Sequence, residues 1–353
     1  MSSNNPLVSI IIVTYNNRND IENCLDSILN QTYKNFEIII VDNASKDGTP
    51  DIVQKKYPSV RLIRSPKNLG YAGGNVLGLK YAKGDYIVVL NPDTVVDKNW
   101  LQELVSVANR DNKIGIVGAC VLLYDQPNKI NALGNLLHFT GLVFCNAFYE
   151  PYDKYKEKNQ FLALPSGAAF LVKRKVIEEV GFMDKFFFME FSDTDFVTRT
   201  ISKGWDSLVT PKAKVYHKYQ LKITPVRLYI LEKGRYYFLL KNFDKRILTI
   251  LLPALCLTEV LIWGFALLRG KEYVISKVYA FKWLIKNYKQ NFSNQDRRLR
   301  LLTLLCGKQF HSYLCHKISI PSKWLNSQLM RNIIELYFNN IYLILYKFFS
   351  YLV

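Results

Sequence analysis

Three aspartates stand where an apolar run breaks into polar residues: Asp42 after IIIV, Asp93 after YIVVLNP and Asp193 after FFFMEFS. A carboxylate so placed can hold a hard cation, accept hydrogen bonds from a nucleoside, or take up a proton. Asp93 follows an apolar strand, and Pro92, with no N–H to give a sheet ladder, marks the end of that strand. Ligands of open α/β sheets gather beyond the carboxyl ends of the strands. Asp93 is therefore a candidate ligand for Mg2+ or Mn2+ bridging a diphosphate; the bland alternative is a solvated turn aspartate. Asp42, followed by Asn43, Ser45 and Asp47-Gly48, can meet a base or ribose, or simply close an Asx turn. Asp193 lies behind Phe186, Phe187, Phe188 and Phe191, where desolvation raises a carboxyl pKa toward that of a general base. Its competing role is the N-cap of a helix over 194–202.

The elements that must carry these residues alternate. Strands are expected at 8–13, 37–41, 60–64 and 85–90, with helices near 21–29, after Thr49-Pro50 and over 68–81. Such βα steps imply a doubly wound α/β fold with a parallel sheet. The turn after the first strand is Thr14-Tyr15-Asn16-Asn17-Arg18, which has no glycine and so lacks the dinucleotide fingerprint. Beyond Asp93 come a helix from Trp100, a strand at 114–122 and an irregular stretch over 125–160, where acceptor contacts are expected by elimination. A strand over 165–172, a short helix ending at Gly181 and the Asp193 helix follow. His217 closes a short strand.

Charge divides the chain of 353 residues unevenly. Residues 1–225 hold 27 Lys and Arg against 23 Asp and Glu, a net of +4, whereas 226–353 hold 20 against 6, a net of +14. A basic tail fits nucleic acid or an anionic membrane surface, and here the apolar content points to the membrane and away from nucleic acid. Residues 247–268 form a run of 22 with a single charge, Glu259. That is long enough to span, but Pro253 and Glu259 favour a helix or bent helical pair in one leaflet. Over 273–290, Lys282, Lys286 and Lys289 share one stripe and Phe281, Leu284 and Tyr288 the opposite one, as in an interfacial helix or a helix packed on its own core. The run from Ile341 to the end is again apolar. The six cysteines form no CxxC pair and read as reduced thiols, and no secretory signal is expected. The chain is thus expected to lie on the cytoplasmic face of the membrane, peripheral or monotopic.

Six segments, in order, carry a resemblance: VSIIIVTYNN, CLDSILNQTYKNFEIIIVDNASKDGT, NLGYAGGNVLGL, GDYIVVLNPDT, SGAAFLVKRKVIEEVGFMD and FSDTDFVTR. Together they resemble glycosyltransferase family 2, and within it the rhamnosyltransferase-like branch. The resemblance implies a GT-A fold over 1–225, with a nucleotide-sugar half near 1–125 and an acceptor half near 126–225, followed by a helical membrane-associating region over 226–353. It implies an inverting transfer from a nucleotide-diphosphate sugar to a glycan or lipid-linked acceptor, in surface polysaccharide or glycolipid synthesis. By the same resemblance Thr14 and Tyr15 line the nucleotide cleft and Asp42 meets the base. Asn68, Gly70 and Gly74 shape the sugar-diphosphate loop, Asn91 and Asp93 stand for the DxD motif, His217 approaches the metal, and Asp193 is the base. The chain departs from the family pattern at Ser192, often Glu, at Gly73-Gly74, where many members carry an Arg, and at Asn91, a neutral ligand in place of a carboxylate. A nucleotidyl transferase is disfavoured, since no glycine loop grips phosphate after the first strand. A degenerate, non-catalytic nucleotide-sugar-binding or tethering domain is the alternative.

Overall fold

The computed structural model describes residues 5–218, 222–243, 245–291 and 314–315. Contacts divide the chain into one unit of residues 1–135 and 145–220 and a second of 136–144 and 221–353.

In the first unit β1 (Val8–Thr14), β2 (Phe36–Asp42), β3 (Arg61–Arg64) and β4 (Tyr86–Leu90) are parallel, in the order β4-β1-β2-β3. Helices α1 (Ile21–Leu29), α2 (Thr49–Lys56) and α3 (Gly70–Leu79) make the crossovers. The strands read as continuous apolar runs because helices cover both faces of a parallel sheet: Ile10, Ile11, Ile12, Ile39, Ile40, Val88 and Val89 are all fully buried. The short β5 (Thr94–Val96) follows the Asn-Pro-Asp turn, so Pro92 redirects the chain into a new strand where a simple strand end was expected. After α4 (Trp100–Ala108) the sheet continues with β6 (Ile114–Leu123).

The stretch expected to be irregular holds β7 (Gln126–Ala132), β8 (Asn135–His138) and β9 (Val143–Cys145). Strand β7 pairs antiparallel with β6, and its first half is exposed. Its Pro and Asn residues mask the usual strand composition, while pairing with an existing sheet supplies the missing stability. Then come β10 (Phe161–Leu162), β11 (Ala169–Lys173), α5 (Arg174–Val180), α6 (Ser192–Ser202) and β12 (Asp206–His217). Strand β11 runs antiparallel between β4 and β6, completing a mostly parallel sheet of 10 strands. His217 thus ends a strand of 12 residues rather than a short one. An irregularity between Thr210 and Lys214, at Pro211, interrupts the alternation that would have revealed the length.

The second unit contains α7 (Pro225–Asn242), α8 (Lys245–Arg269) and α9 (Lys271–Asn291). Residues 136–144, which carry most of β8 and β9, belong to this unit, and its β13 (Leu314–Cys315) pairs with β8 in a separate three-stranded sheet. Helix α8 runs unbroken through Pro253 for 25 residues, long and apolar enough to cross a membrane by length and composition. Its one acid, Glu259, pairs with Arg235 of α7 and with Lys277 of α9 at 2.8 Å. Glu232 of α7 joins both cations as well, so two acids and two bases neutralise one another in the helix contacts. On α9 Lys282 and Lys286 are exposed as expected, but Phe281 is exposed too, and Ile275, Tyr279 and Ile285 lie open beside the lysines. The two expected stripes are therefore not separate, because Lys277 takes the inward side to meet Glu232 and Glu259. The side chains of Tyr288 and Lys289 and the run from Ile341 lie outside the described residues.

Candidate active site

Asp93 and His217 reach each other because β5 pairs antiparallel with the end of β12, with Thr94 opposite His217. The His217 ring nitrogen Nε2 lies 3.3 Å from Asp93 Oδ1, and its Nδ1 lies 3.3 Å from Asn131 Oδ1. His217 is buried, whereas Asp93 and Asn91 are half-buried. Asn91 is tied to the sheet through its amide, which donates to Ala168 O at 2.9 Å. Among the described residues no group of three or more His, Cys, Asp or Glu side chains could enclose a metal ion. One carboxylate and one imidazole nonetheless fit a catalytic divalent cation, which takes one or two protein ligands and completes its shell with water and substrate phosphates.

Asp42 is 2% exposed. Its Oδ1 accepts from the Thr14 hydroxyl at 3.2 Å and its Oδ2 from the Ser45 amide at 3.0 Å. The Asx-type turn is thus realised: the carboxylate holds the loop after β2 against the end of β1. Thr14 is fully buried beneath it, while Tyr15 is exposed at the rim.

Asn68 closes the Asx turn that leads into α3, its Oδ1 accepting from Gly70 N at 2.8 Å. Asn43, 1% exposed, holds the same turn by donating to Gly70 O at 3.0 Å. Gly70 has φ +71°, and a Cβ there would lie 2.3 Å from Phe188 O. Gly74 has a packing task. It is buried, and an added Cβ would stand 2.5 Å from Val13 Cγ1. Its missing side chain lets α3 pack on β1.

Asp193 lies in the first turn of α6, whose N-cap is Phe191 in a left-handed conformation. The N-cap position therefore falls to another residue, and the Asp193 carboxylate divides between a first-turn amide of α6 and the turn before β11. Its Oδ2 accepts from Gly167 N at 2.8 Å and its Oδ1 from Thr194 N at 2.8 Å. Gly167 O in turn accepts from Tyr71 Oη at 2.6 Å. A Cβ on Gly167 would sit 2.7 Å from Asp193 Oδ2 and 3.1 Å from Tyr71 Oη, so only glycine admits both partners. Desolvation raises the Asp193 pKa from 3.8 to about 6, with Glu190 adding to the rise and the Thr194 and Gly167 amides opposing it. Burial and the Asp193 charge push the Tyr71 hydroxyl well above its ordinary value. Of the expected aromatic wall, Phe187 and Phe191 are buried and stack at 6.4 Å, whereas Phe186 and Phe188 are exposed.

The neighbouring Asp195 has a structural task. Fully buried, it pairs with Arg199 at 2.9 Å, and that guanidinium also donates to the carbonyls of Val180 and Phe182.

Nothing in the sequence pointed to the tasks of Tyr71 and Gly167, and Asn43 was named there only as a member of the Asp42 turn. Each stands inside the recognised segments, but its task depends on a partner far along the chain.

Residues 9–181 match the family model described as Glycosyl transferase family 2. An N-acetylglucosaminyl-diphospho-decaprenol L-rhamnosyltransferase of Mycobacterium tuberculosis is 26% identical over 234 residues, covering 60% of this chain and 76% of that protein. Of several other curated relatives the chain spans 24% to 54% of the length. A mannosyltransferase from Pyrobaculum calidifontis, solved with GDP-Man and Mn2+, superposes with a TM-score of 0.52 at 19% identity, covering 83% of this chain and 89% of that one. GalNAc-T7, solved with UDP, GalNAc and Mn2+, gives 0.60 at 15% identity over 83% of this chain and 58% of its own. At such identities the two structures establish the GT-A fold alone.

Proposed function

Residues 9–181 are a glycosyl transferase family 2 domain, and from that premise we propose that the chain transfers a sugar, with inversion, from a nucleotide-diphosphate donor to a hydroxyl of a glycan or lipid-linked acceptor. The observation that carries this reading is the seating of Asp193. Its carboxyl is desolvated to a pKa of about 6, close to the optimum for a base working near neutrality, and two amides fix its orientation. In the reaction the acceptor oxygen bonds to the anomeric carbon, its proton passes to the Asp193 carboxylate, and the bond from that carbon to the diphosphate oxygen breaks with its electron pair.

Asp93 and His217 would hold a divalent cation, Mg2+ or Mn2+, with Asn91 as a neutral neighbour. Such an ion neutralises the charge that develops on the departing diphosphate. Tyr15 and the turn held by Asp42 and Thr14 would meet the nucleoside, and Asn68 and Gly70 the sugar-diphosphate side. A rhamnosyl donor is supported by the similarity to the mycobacterial L-rhamnosyltransferase.

The net of +14 over 226–353 and the open apolar side chains of α8 and α9 support attachment to the cytoplasmic face of an anionic membrane, in the service of surface polysaccharide or glycolipid assembly. The domain boundary near 225 belongs to the same proposal.

A panel of nucleotide sugars scored by released nucleoside diphosphate tests the activity, with Asp193→Asn as the inactive control. Calorimetric binding of a nucleotide sugar with no diphosphate release across several acceptors would replace the transferase reading with that of a non-catalytic binding domain.

A further inference from the structure

Five residues before Asp193 the backbone takes a conformation that side chains oppose. Phe188 has φ +59° and ψ −60°, and Met189 N donates back to Phe187 O at 2.6 Å across it. This is the positive-φ γ-turn, rare and strained for any residue with a Cβ. Glycine would adopt it at no steric cost, yet the position holds a large aromatic whose side chain stays 39% exposed, beside Met189 at 50%. Core packing therefore does not explain the phenylalanine.

The surroundings give it a direction. Phe188 O accepts from Ala72 N at 3.2 Å, and the Phe188 ring rests over Gly70, whose Cβ would fall 2.6 Å from Phe188 Cδ2. Between Gly70 and Ala72 stands Tyr71, which reaches Gly167, the residue that donates to Asp193. The exposed ring is thus built onto the turn that opens α3, and the same turn carries Tyr71, whose partner Gly167 holds the proposed base. A flat apolar surface beside polar groups suits the apolar C–H face of a pyranose, whose hydroxyls remain free for the base.

We propose that Phe188, flanked by Met189, is the platform on which a sugar ring of the acceptor lies with its hydroxyl toward Asp193. This rests on the transferase reading for the identity of the ligand. It also predicts that the acceptor presents a sugar ring, not a bare lipid phosphate or a peptide, next to the bond being made.

The test uses Phe188→Gly in the full-length protein, since glycine relieves the turn while removing the ring. The variant is expected to melt at or above the wild-type temperature, and a lower melting temperature would overturn the strained-turn premise. Binding is read by saturation transfer to octyl β-D-glucoside below its micelle concentration, which requires no catalysis. Wild-type protein should saturate the sugar-ring protons, with about a fivefold to tenfold loss in Phe188→Gly, the size of one stacking contact. Saturation confined to the octyl chain, or equal in both proteins, would refute the sugar platform. Where a donor and acceptor pair is found active, the acceptor KM should rise by the same factor with the donor KM unchanged. If no nucleotide sugar is ever turned over, the transferase reading fails, while the saturation result still decides the platform.

Discussion

Replacing Asp193 by Asn should abolish transfer and at the same time make the protein relatively more stable as pH rises. The folded-state pKa of about 6 stands above the ordinary value of 3.8, so ionising this carboxyl opposes folding. Stability from the protonated form is fully present below pH 3.8 and is lost as pH climbs through about 6. A shift of this size corresponds to about 3 kcal/mol at 1.36 kcal/mol per unit, and about 2 kcal/mol is reasonable once the partial exposure of Asp193 is allowed for. Asn carries no charge at any pH but has only one oxygen for the two amides of Gly167 and Thr194, a fixed cost of about 1 kcal/mol. That cost cancels when the two proteins are compared across pH. Between pH 4 and pH 8 the difference in melting temperature should therefore move in favour of the Asp193→Asn variant by about 4–8 °C for a domain of this size. Calorimetry at several pH values measures it, and the diphosphate-release assay should show a loss of about 10²–10⁴-fold in rate. A stability difference that does not change with pH would refute the desolvated carboxylate; undiminished transfer would refute the base.

In the wild-type protein kcat/KM should fall about tenfold per pH unit below about 6, because the base must be ionised to act; a flat profile down to pH 5 excludes Asp193. Gly70→Ala forces a Cβ into Phe188 O at a φ of +71° and should cost about 2–4 kcal/mol of stability, read by urea unfolding. His217→Ala should weaken Mn2+ binding about 10–100-fold in calorimetry with nucleoside diphosphate present while leaving the fold intact; unchanged affinity removes His217 from the metal. Arg199→Met leaves Asp195 buried without its partner and should destabilise by about 3–5 kcal/mol, whereas exposed pairs such as Arg64–Asp51 should be nearly neutral when broken.

Much of the frame was legible because it is local. The βα alternation through β4, the first-turn Pro50 of α2 and the apolar strand before Asn91 each follow from period, composition and proline chemistry read within a few residues, although Gly48 rather than Thr49 takes the N-cap of α2. Strand β7 was not legible, since QPNKINA forms a strand only by pairing with the end of β6, and the short β8 and β9 pair in a separate three-stranded sheet. The length of β12 was hidden for a related reason: Pro211 sits in an irregularity that the neighbouring strand bridges. The packing constraint at Gly74 was not legible either, because only the approach of Val13 from β1 reveals it.

The sequence by itself determined the α/β class, the family resemblance and the three carboxylates at strand or helix boundaries, because hydrophobic period and turn residues act over short distances. Tertiary structure decided what those carboxylates face. Strand β5 folding back on β12 brings His217 to Asp93 across more than a hundred residues. Tyr71 and Gly167 meet at Asp193 from α3 and the turn before β11, and their enclosure removes water from a carboxyl that sequence alone left equally able to cap a helix. Desolvation and hydrogen-bond partnership are properties of a place in the fold, and no single stretch of chain specifies them.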